Sequence, residues 1–413
     1  MHLTPSTWAQ QVKPSPTLEI KSTADALRRE GKQVYDFGIG EMNPEIPVPH
    51  ILKVAIAEAV MGDATHYSPA AGDPDLIDAI HADLCLFGLT YSPSQIVVCP
   101  GPKDAVFKAS MTLLNPTARR NRLVAFAPIY ESYENLPVLL TGKPPIILPT
   151  DAQFRPDPNQ LADVLSQDDT IALIVLNSPN NPSGAVYPPT LLKELAAVIG
   201  QHEGLCVLSD EVYRTVIYDG YEHASIASSL PDQTLVVGGM SKEVSGTGLR
   251  LGFIAGPEAV IQTIVGIEGN ASSCVNLPTQ KGYAHFLRKD NDLRLRYHIR
   301  DQLCARRDAL LQRFDELVKD AIWGRPSGAF YFFPDMHAYL GRRTPDGRII
   351  NTDEDLARYL LKQANVVTVP GSKFQRPGHL RLAYAVSLQT IDEGTRRLAN
   401  ALDGLSVGAN LKH

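Results

Sequence analysis

Cysteine is scarce and poorly placed for cross-linking. The five in 413 residues, Cys85, Cys99, Cys206, Cys274 and Cys304, are odd in number, and no two form a CxxC pair. That spacing suggests neither a disulfide framework nor a zinc site, so no metal is expected. Three of them lie in or beside apolar runs, as buried thiols do. No stretch of about 18 apolar residues is available to span a membrane, and the N-terminus has no signal-peptide pattern. No block of about five or six like charges occurs, and a formal net charge of −6 is too mild to imply a nucleic-acid partner. Internal repeats and low-complexity segments are missing as well. The expectation is a reduced, cytoplasmic, soluble protein that engages neither membrane nor nucleic acid.

What is present is ordinary globular composition, 44% hydrophobic and 20% charged, on a chain long enough for about two domains. Residues 1–20, with Pro5, Pro14 and Pro16, should be extended. A helix closed by glycine is expected over 18–31, then a strand over 34–40 that runs into a turn holding Gly38 and Gly40. Helical patterns follow at 49–61 and 74–86. From there short apolar runs, at 96–99, 122–125, 146–148, 171–176, 206–208, 235–237 and 251–255, alternate with amphipathic helices such as 191–199. Such alternation predicts an α/β fold with a mostly parallel sheet covered on both faces. Ligands are then expected at the carboxyl ends of its strands. After Pro257 the pattern changes to long helices, 293–318 above all, with strands at 331–334, 366–369 and 380–384 and a closing helix over 391–402. This predicts a smaller α+β domain. The polar stretch 341–352 reads as a surface excursion.

The stretch 236–256, VVGGMSKEVSGTGLRLGFIAG, sets Lys242 among small residues, with Arg250 eight positions on. Small residues let backbone approach a bulky planar group, a lysine amine can form an imine with an aldehyde, and an arginine can hold a phosphate. The run 96–99 passes through Gly101 into a helix with Pro102 near its first position, where a missing N–H costs least. A strand-to-helix junction of this sort aims amides and a positive dipole end at an anion. Three more motifs fall at or near predicted strands: NSPNNPSG (177–184), SDEVY (209–213) and Arg381 within GHLRLAYA. A carboxylate facing a pyridine nitrogen, donors at a phenolic oxygen and an arginine fork for a carboxylate are what pyridoxal chemistry needs. Each residue also has a plainer reading. Asp210 could cap a helix, Tyr213 could be a core tyrosine, Asn181 a turn residue, and Lys103 an exposed charge on a first helical turn. Arg381 in an apolar strand resists such a reading, because an unpaired buried charge is costly.

Over residues 10–402 the chain resembles the fold-type I, class I/II pyridoxal-phosphate aminotransferases, and among them the bacterial aspartate aminotransferase branch. The resemblance rests on the order and spacing of KPSPTLEIKSTADALRREGK, the GE turn, YSPAAG, NNPSG, DEVY, the Lys242/Arg250 pair, GAFYFF and VPGSKF…GHLRLAYA. It implies a three-layer, mostly parallel large domain over 49–290. A small α+β domain would be built from both termini, with 1–48 as arm and part of it and 291–413 as its C-terminal portion. It implies pyridoxal 5′-phosphate as cofactor and a homodimer with active sites shared across the interface. Lys242 would carry the imine and shuttle protons, Asp210 would face the ring nitrogen, and Tyr213 and Asn181 would bond the phenolic oxygen. Arg250, Ser241 and the turn Gly101–Pro102–Lys103 would surround the phosphate, reached by Tyr67 from the other subunit. Tyr130 would stack on the ring. Arg381, helped by Gly40 and Asn181, would hold the substrate's α-carboxylate, and Lys103 would face a distal carboxylate.

Three positions depart from the family pattern. Pro102 removes one amide at the phosphate turn, and Gly239 stands where many relatives have serine, which together suggest a thinner phosphate cup. The third is Met42-Asn43 in place of Pro-Asp after Gly40-Glu41, at the substrate entrance. The expected reaction is amino transfer between an acidic, aspartate-like amino acid and a 2-oxo acid such as 2-oxoglutarate. Elimination, replacement or cyclisation on the same fold is the alternative, kept open by Met42 and Asn43. A transcription regulator using the same fold is disfavoured, because only about 35 residues precede the first strand and no basic recognition helix is visible.

Overall fold

The computed structural model describes residues 4, 10, 16–42 and 44–406. Its centre is a seven-stranded sheet in the spatial order Ile96–Cys99, Gly252–Ala255, Thr234–Gly239, Cys206–Asp210, Ile171–Asn177, Arg122–Phe126, Ile146–Leu148. Only Gly252–Ala255 runs against its neighbours; the other six strands are parallel to one another. Apolar runs make such strands because both faces are covered. Along Ile171–Asn177, Leu173 and Val175 enter the core on one face, while Ile174 and Leu176 enter another core on the opposite face. Full burial of a side chain of this kind contributes roughly 1.5–3 kcal/mol.

Helices fill both sides. Pro102–Leu113 packs on Thr234–Gly239 and Gly252–Ala255, Pro158–Gln167 packs on Pro189–Ile199, and Leu277–Lys289 packs on His50–Met61 and Pro74–Leu86. No described helix is long and apolar enough to cross a membrane.

The second region joins the two ends of the chain. Tyr35–Asp36 pairs in parallel with Val366–Val367, and Leu380–Ala383 lies antiparallel between Val369–Pro370 and Tyr331–Phe332. The 24-residue helix Arg294–Leu317 packs against Leu388–Asp403. Residues 341–352 make a short hairpin-like excursion, with Arg343 bridging Ile349 and Ser406.

Two expectations need correcting here. The first helix runs Pro16–Arg29, so 16–20 are helical and not extended; proline is tolerated at a first helical position, where no amide bond is lost. Apart from residues 4 and 10, the rest of the extended reading lies outside the described residues, as does Asn43. The strand expected over 34–40 is only Tyr35–Asp36, because Asp36 turns its carboxylate onto the Gly38 amide at 2.9 Å and ends the ladder.

Candidate active site

The carboxyl ends of the parallel strands come level. Asn177 pairs with Asp210 and Asp210 with Val237, so the residues that follow these positions emerge side by side. Gly252 pairs with both Cys99 and Gly239. That brings the Gly101 turn, Arg250 and the short helix Met240–Glu243 to the same edge. A cavity of about 350 Å³ opens there, lined by Gly40, Pro102, Lys103, Tyr130, Asn181, Asp210, Tyr213, Ser241, Lys242, Arg250 and Arg381. Its size lies within the ~300–1,000 Å³ usual for small-molecule sites. Of the residues expected to form a site, two do not line the cavity: Gly101, which lies behind Arg250 and Pro102, and Tyr67.

Lys242 Nζ donates to the Gly40 carbonyl at 2.5 Å and stands 5.8 Å from the Phe330 ring centroid. Burial pushes its pKa down to about 8; Glu41 and Asp210 oppose that shift and the Arg381 and Arg250 charges add to it. Asp210 is buried, with Oδ2 accepting from Tyr133 Oη at 2.5 Å and Oδ1 from the Val212 amide at 3.3 Å. Burial raises its carboxyl to about 6, and the Tyr133 and Val212 hydrogen bonds pull it back. Tyr213 Oη lies 2.8 Å from Tyr331 Oη, and burial lifts its pKa well above the ordinary phenol value. Arg381 donates to the Gly38 carbonyl at 2.6 Å and to Asn181 Oδ1 at 3.2 Å, with its guanidinium 4.8 Å from the Tyr331 ring centroid.

The set fits pyridoxal phosphate. Ser241 Oγ and Arg381 Nε are buried donors without a hydrogen-bond partner, and both residues line the cavity, as sites for two separate anionic groups would. Arg250 takes a left-handed backbone (φ 54°), which folds its guanidinium back onto the Pro100 carbonyl at 3.2 Å and the Thr247 carbonyl at 2.8 Å. A Cβ on Gly101 would lie 2.6 Å from Arg250 Nη2, so only glycine leaves this arginine its place. An amine lowered toward neutrality, a buried carboxylate and a phenol complete the donor set that the cofactor requires.

Several expectations change in detail. The Gly101 amide is committed to the Cys99 carbonyl at 2.6 Å and Pro102 has none, so of that turn only Lys103 keeps an amide free for an anion. Gly239 and Pro102 belong to one packing arrangement. A Cβ on Gly239 would lie 2.6 Å from Gly252 Cα and 3.1 Å from Pro102 Cγ, so a serine does not fit without backbone movement. Met42 is 1% exposed and packs in the core, while Gly38, Ile39, Gly40 and Glu41 line the cavity. Met42 therefore does not touch a substrate, because an unbranched apolar side chain here fills the interior instead of the entrance. Lys103 is 56% exposed, 3.5 Å from Glu131 and 5.4 Å from the centroid of the Tyr130 ring. Tyr67 is 81% exposed.

Sequence reading missed three participants. Tyr133, Tyr331 and Glu41 line the cavity, and the first two are the partners of Asp210 and Tyr213. No spacing rule links residues 77 and 118 positions apart. The one available signal was the second tyrosine of APIYESY and the aromatic run GAFYFF.

The site's relatives are known proteins. A model of the family described as aminotransferase class I and II matches residues 32–398. A Petunia hybrida bifunctional aspartate aminotransferase and glutamate/aspartate-prephenate aminotransferase is 36% identical over 405 residues, 95% of this chain and 81% of that one. An aspartate aminotransferase of Rhizobium meliloti strain 1021 is 32% identical, with 97% of each chain covered. The crystal structure of a Rhizobium meliloti aspartate aminotransferase superposes with a TM-score of 0.91 at 31% identity, covering 98% of this chain and 100% of that one. That of the Thermus thermophilus enzyme with maleate does so with 0.87 at 29% identity, covering 97% and 100%.

Proposed function

Because the chain belongs to the class I and II aminotransferases, we propose that it moves an amino group between an acidic, aspartate-like L-amino acid and a 2-oxo acid such as 2-oxoglutarate. It is a pyridoxal-phosphate-dependent transaminase of the aspartate aminotransferase branch. The observation that carries the reading is the convergence of Lys242, Asp210 and Arg381 on one cavity. When bound, the cofactor supplies an electron sink for the pair left at the substrate's α-carbon.

The chain's own residues do the rest. Arg381, whose Nε has no partner, offers its fork to the α-carboxylate, with Asn181 and Gly40 beside it. Lys242, with its pKa near 8, exists partly as the free amine near neutral pH, so Nζ can take a proton from the α-carbon and return it. Asp210 would keep the ring nitrogen protonated, and Tyr213 would donate to the phenolic oxygen. Ser241, Arg250 and the Lys103 amide would bind the phosphate, and Tyr130 would cover the ring. At the rim, the half-exposed Lys103 ammonium, 3.5 Å from Glu131 and 5.4 Å from the Tyr130 ring centroid, suits a distal carboxylate. Relatives named aspartate aminotransferase support the same choice.

The reading extends to assembly and place. Tyr67 lies exposed and away from its own cavity, which suits a residue that completes the site of a second subunit, so a homodimer is proposed. The proposed division is 1–48, 49–290 and 291–413, supported by the pairing of Tyr35–Asp36 with Val366–Val367. Five free thiols suit a reducing, cytoplasmic location. Screening amino acids against the loaded enzyme by absorbance tests the function. Aspartate and glutamate should convert the cofactor to its amino form fastest; conversion by none, or only by neutral amino acids, would overturn the substrate class.

A further inference from the structure

Outside the cavity lining, a closed ring of four buried charges joins four separate segments. Arg214 directly follows Tyr213, and Glu243 directly follows Lys242. Arg214 Nε donates to Glu243 Oε1 at 2.7 Å, and its Nη2 to Asp83. Arg296 closes the ring, donating from Nη2 to Asp83 Oδ1 at 2.6 Å and from Nη1 to Glu243 Oε2 at 3.3 Å. Asp290 holds the remaining edge of Arg296, Nε to Oδ2, at 2.8 Å. None of the five residues is more than 4% exposed.

Such an arrangement is poorly explained by stability alone. Buried ion pairs recover their desolvation cost only with good geometry, and well-packed apolar residues often serve as well or better. What the ring does provide is registration. Two of its members are chain neighbours of Lys242 and Tyr213, and these two are bonded directly to one another. A reacting group must be held within about 0.5 Å of its working position by surrounding groups whose own conformations are locked. Lys242 sits in a helix of only four residues, Met240–Glu243, and Tyr213 in a turn, so neither has a long regular element to hold it. From the first turn of Arg294–Leu317, the helix that packs against Leu388–Asp403 in the second region, Arg296 bonds Glu243 directly and meets Arg214 through their shared partners Glu243 and Asp83.

We propose that Arg296 is a positioning residue for the amino-transfer reaction: by bridging Glu243 and Asp83, and through both of them Arg214, it fixes the placement of Lys242 and Tyr213 in the cavity. The inference rests on the transaminase reading. Arg296 touches neither cavity nor reacting atoms, so its effect passes through the backbone of its partners' neighbours. The largest charged influences on Lys242, from Glu41, Arg381, Asp210 and Arg250, come from outside the ring, so a shift caused by altering the ring reports a displaced Lys242.

Arg296→Lys keeps the charge and loses the fork. Arg307→Lys is the control. Arg307 is equally buried on the same helix, paired with Asp219 and Asp308, and lines no part of the cavity. Both variants should melt earlier than wild type. Arg296→Lys alone should lower kcat about tenfold with KM within about threefold, as expected for a displaced reacting group. It alone should also move the pH midpoint of the cofactor's absorbance by about half a unit or more. If Arg296→Lys does not fold, Asp290→Asn, which loosens Arg296 without emptying the ring, should show the same pattern at roughly threefold in kcat. The proposal is overturned if the ring variant behaves like Arg307→Lys, melting earlier with kcat and midpoint unchanged. Wild-type turnover is measured first. Its absence would sink the transaminase reading, while the absorbance midpoint of the loaded protein still decides the role of Arg296.

Discussion

Tyr133 Oη stands 2.5 Å from Asp210 Oδ2, both groups buried, in the cavity that also holds Lys242. A hydrogen bond to a charged acceptor contributes about 1.5–3 kcal/mol, and here it favours the ionised carboxylate that burial disfavours. Tyr133→Phe should therefore push the Asp210 pKa further up and weaken cofactor binding about tenfold to a hundredfold at neutral pH. The loss should be larger at pH 6 than at pH 8. Fluorescence titration of the cofactor-free protein measures this, and an unchanged dissociation constant would show the tyrosine to be idle.

Asp210 also predicts a pH dependence with a definite sign. Its folded-state pKa of about 6 lies above the ordinary carboxylate value. Folding therefore disfavours its ionised form, and the stabilisation it gives is complete below about pH 4 and lost as pH rises through 6, up to about 3 kcal/mol. In the cofactor-free protein the melting temperature of Asp210→Asn, compared with wild type, should gain across that window. Parallel pH curves for the two proteins would contradict the assignment.

Gly239→Ser tests whether the phosphate cup is thin or simply packed differently. The new Cβ would lie 2.8 Å from the Leu251 carbonyl as well as close to Gly252. Overpacking against backbone should cost roughly 1–3 kcal/mol without tightening the cofactor. Thermal melts and cofactor titration read the two effects separately. A serine variant that is both stable and tighter-binding would mean that a missing phosphate donor is the real defect.

Tyr67→Phe should leave the fold intact and release cofactor several-fold faster, by about 1 kcal/mol, if it removes the phosphate hydrogen bond proposed across a dimer. Sedimentation of the wild type should give a dimer. A monomer that retains its cofactor tightly would refute the role.

Much of this was legible in the chain. The limits of Pro74–Leu86, Ile96–Cys99 and Ile146–Leu148 follow directly from apolar pattern and turn residues. The apolar pattern ends the strands that carry the site too early, at Leu176 for Ile171–Asn177 and at Leu208 for Cys206–Asp210. A hydrophobicity pattern ends where polar residues begin, and in this fold the polar strand ends are the site. Lys242, Asp210, Asn181, Arg250 and Arg381 were readable because each sits in a local motif. Tyr133 and Tyr331 were not, since their contacts exist only once distant segments meet. Arg214 and Glu243 look like solvated charges beside those motifs until Asp83 and Arg296 are seen to enclose them.

The most direct test is a half-reaction. Loaded enzyme is mixed with L-aspartate in the absence of any oxo acid, and absorbance is followed alongside product. The account predicts full conversion of the cofactor to its amino form with a stoichiometric yield of the 2-oxo acid, reversal on adding 2-oxoglutarate, and no conversion by Lys242→Ala on the same timescale. Conversion that survives in Lys242→Ala at the wild-type rate, or none in wild type with any acidic amino acid, would contradict it.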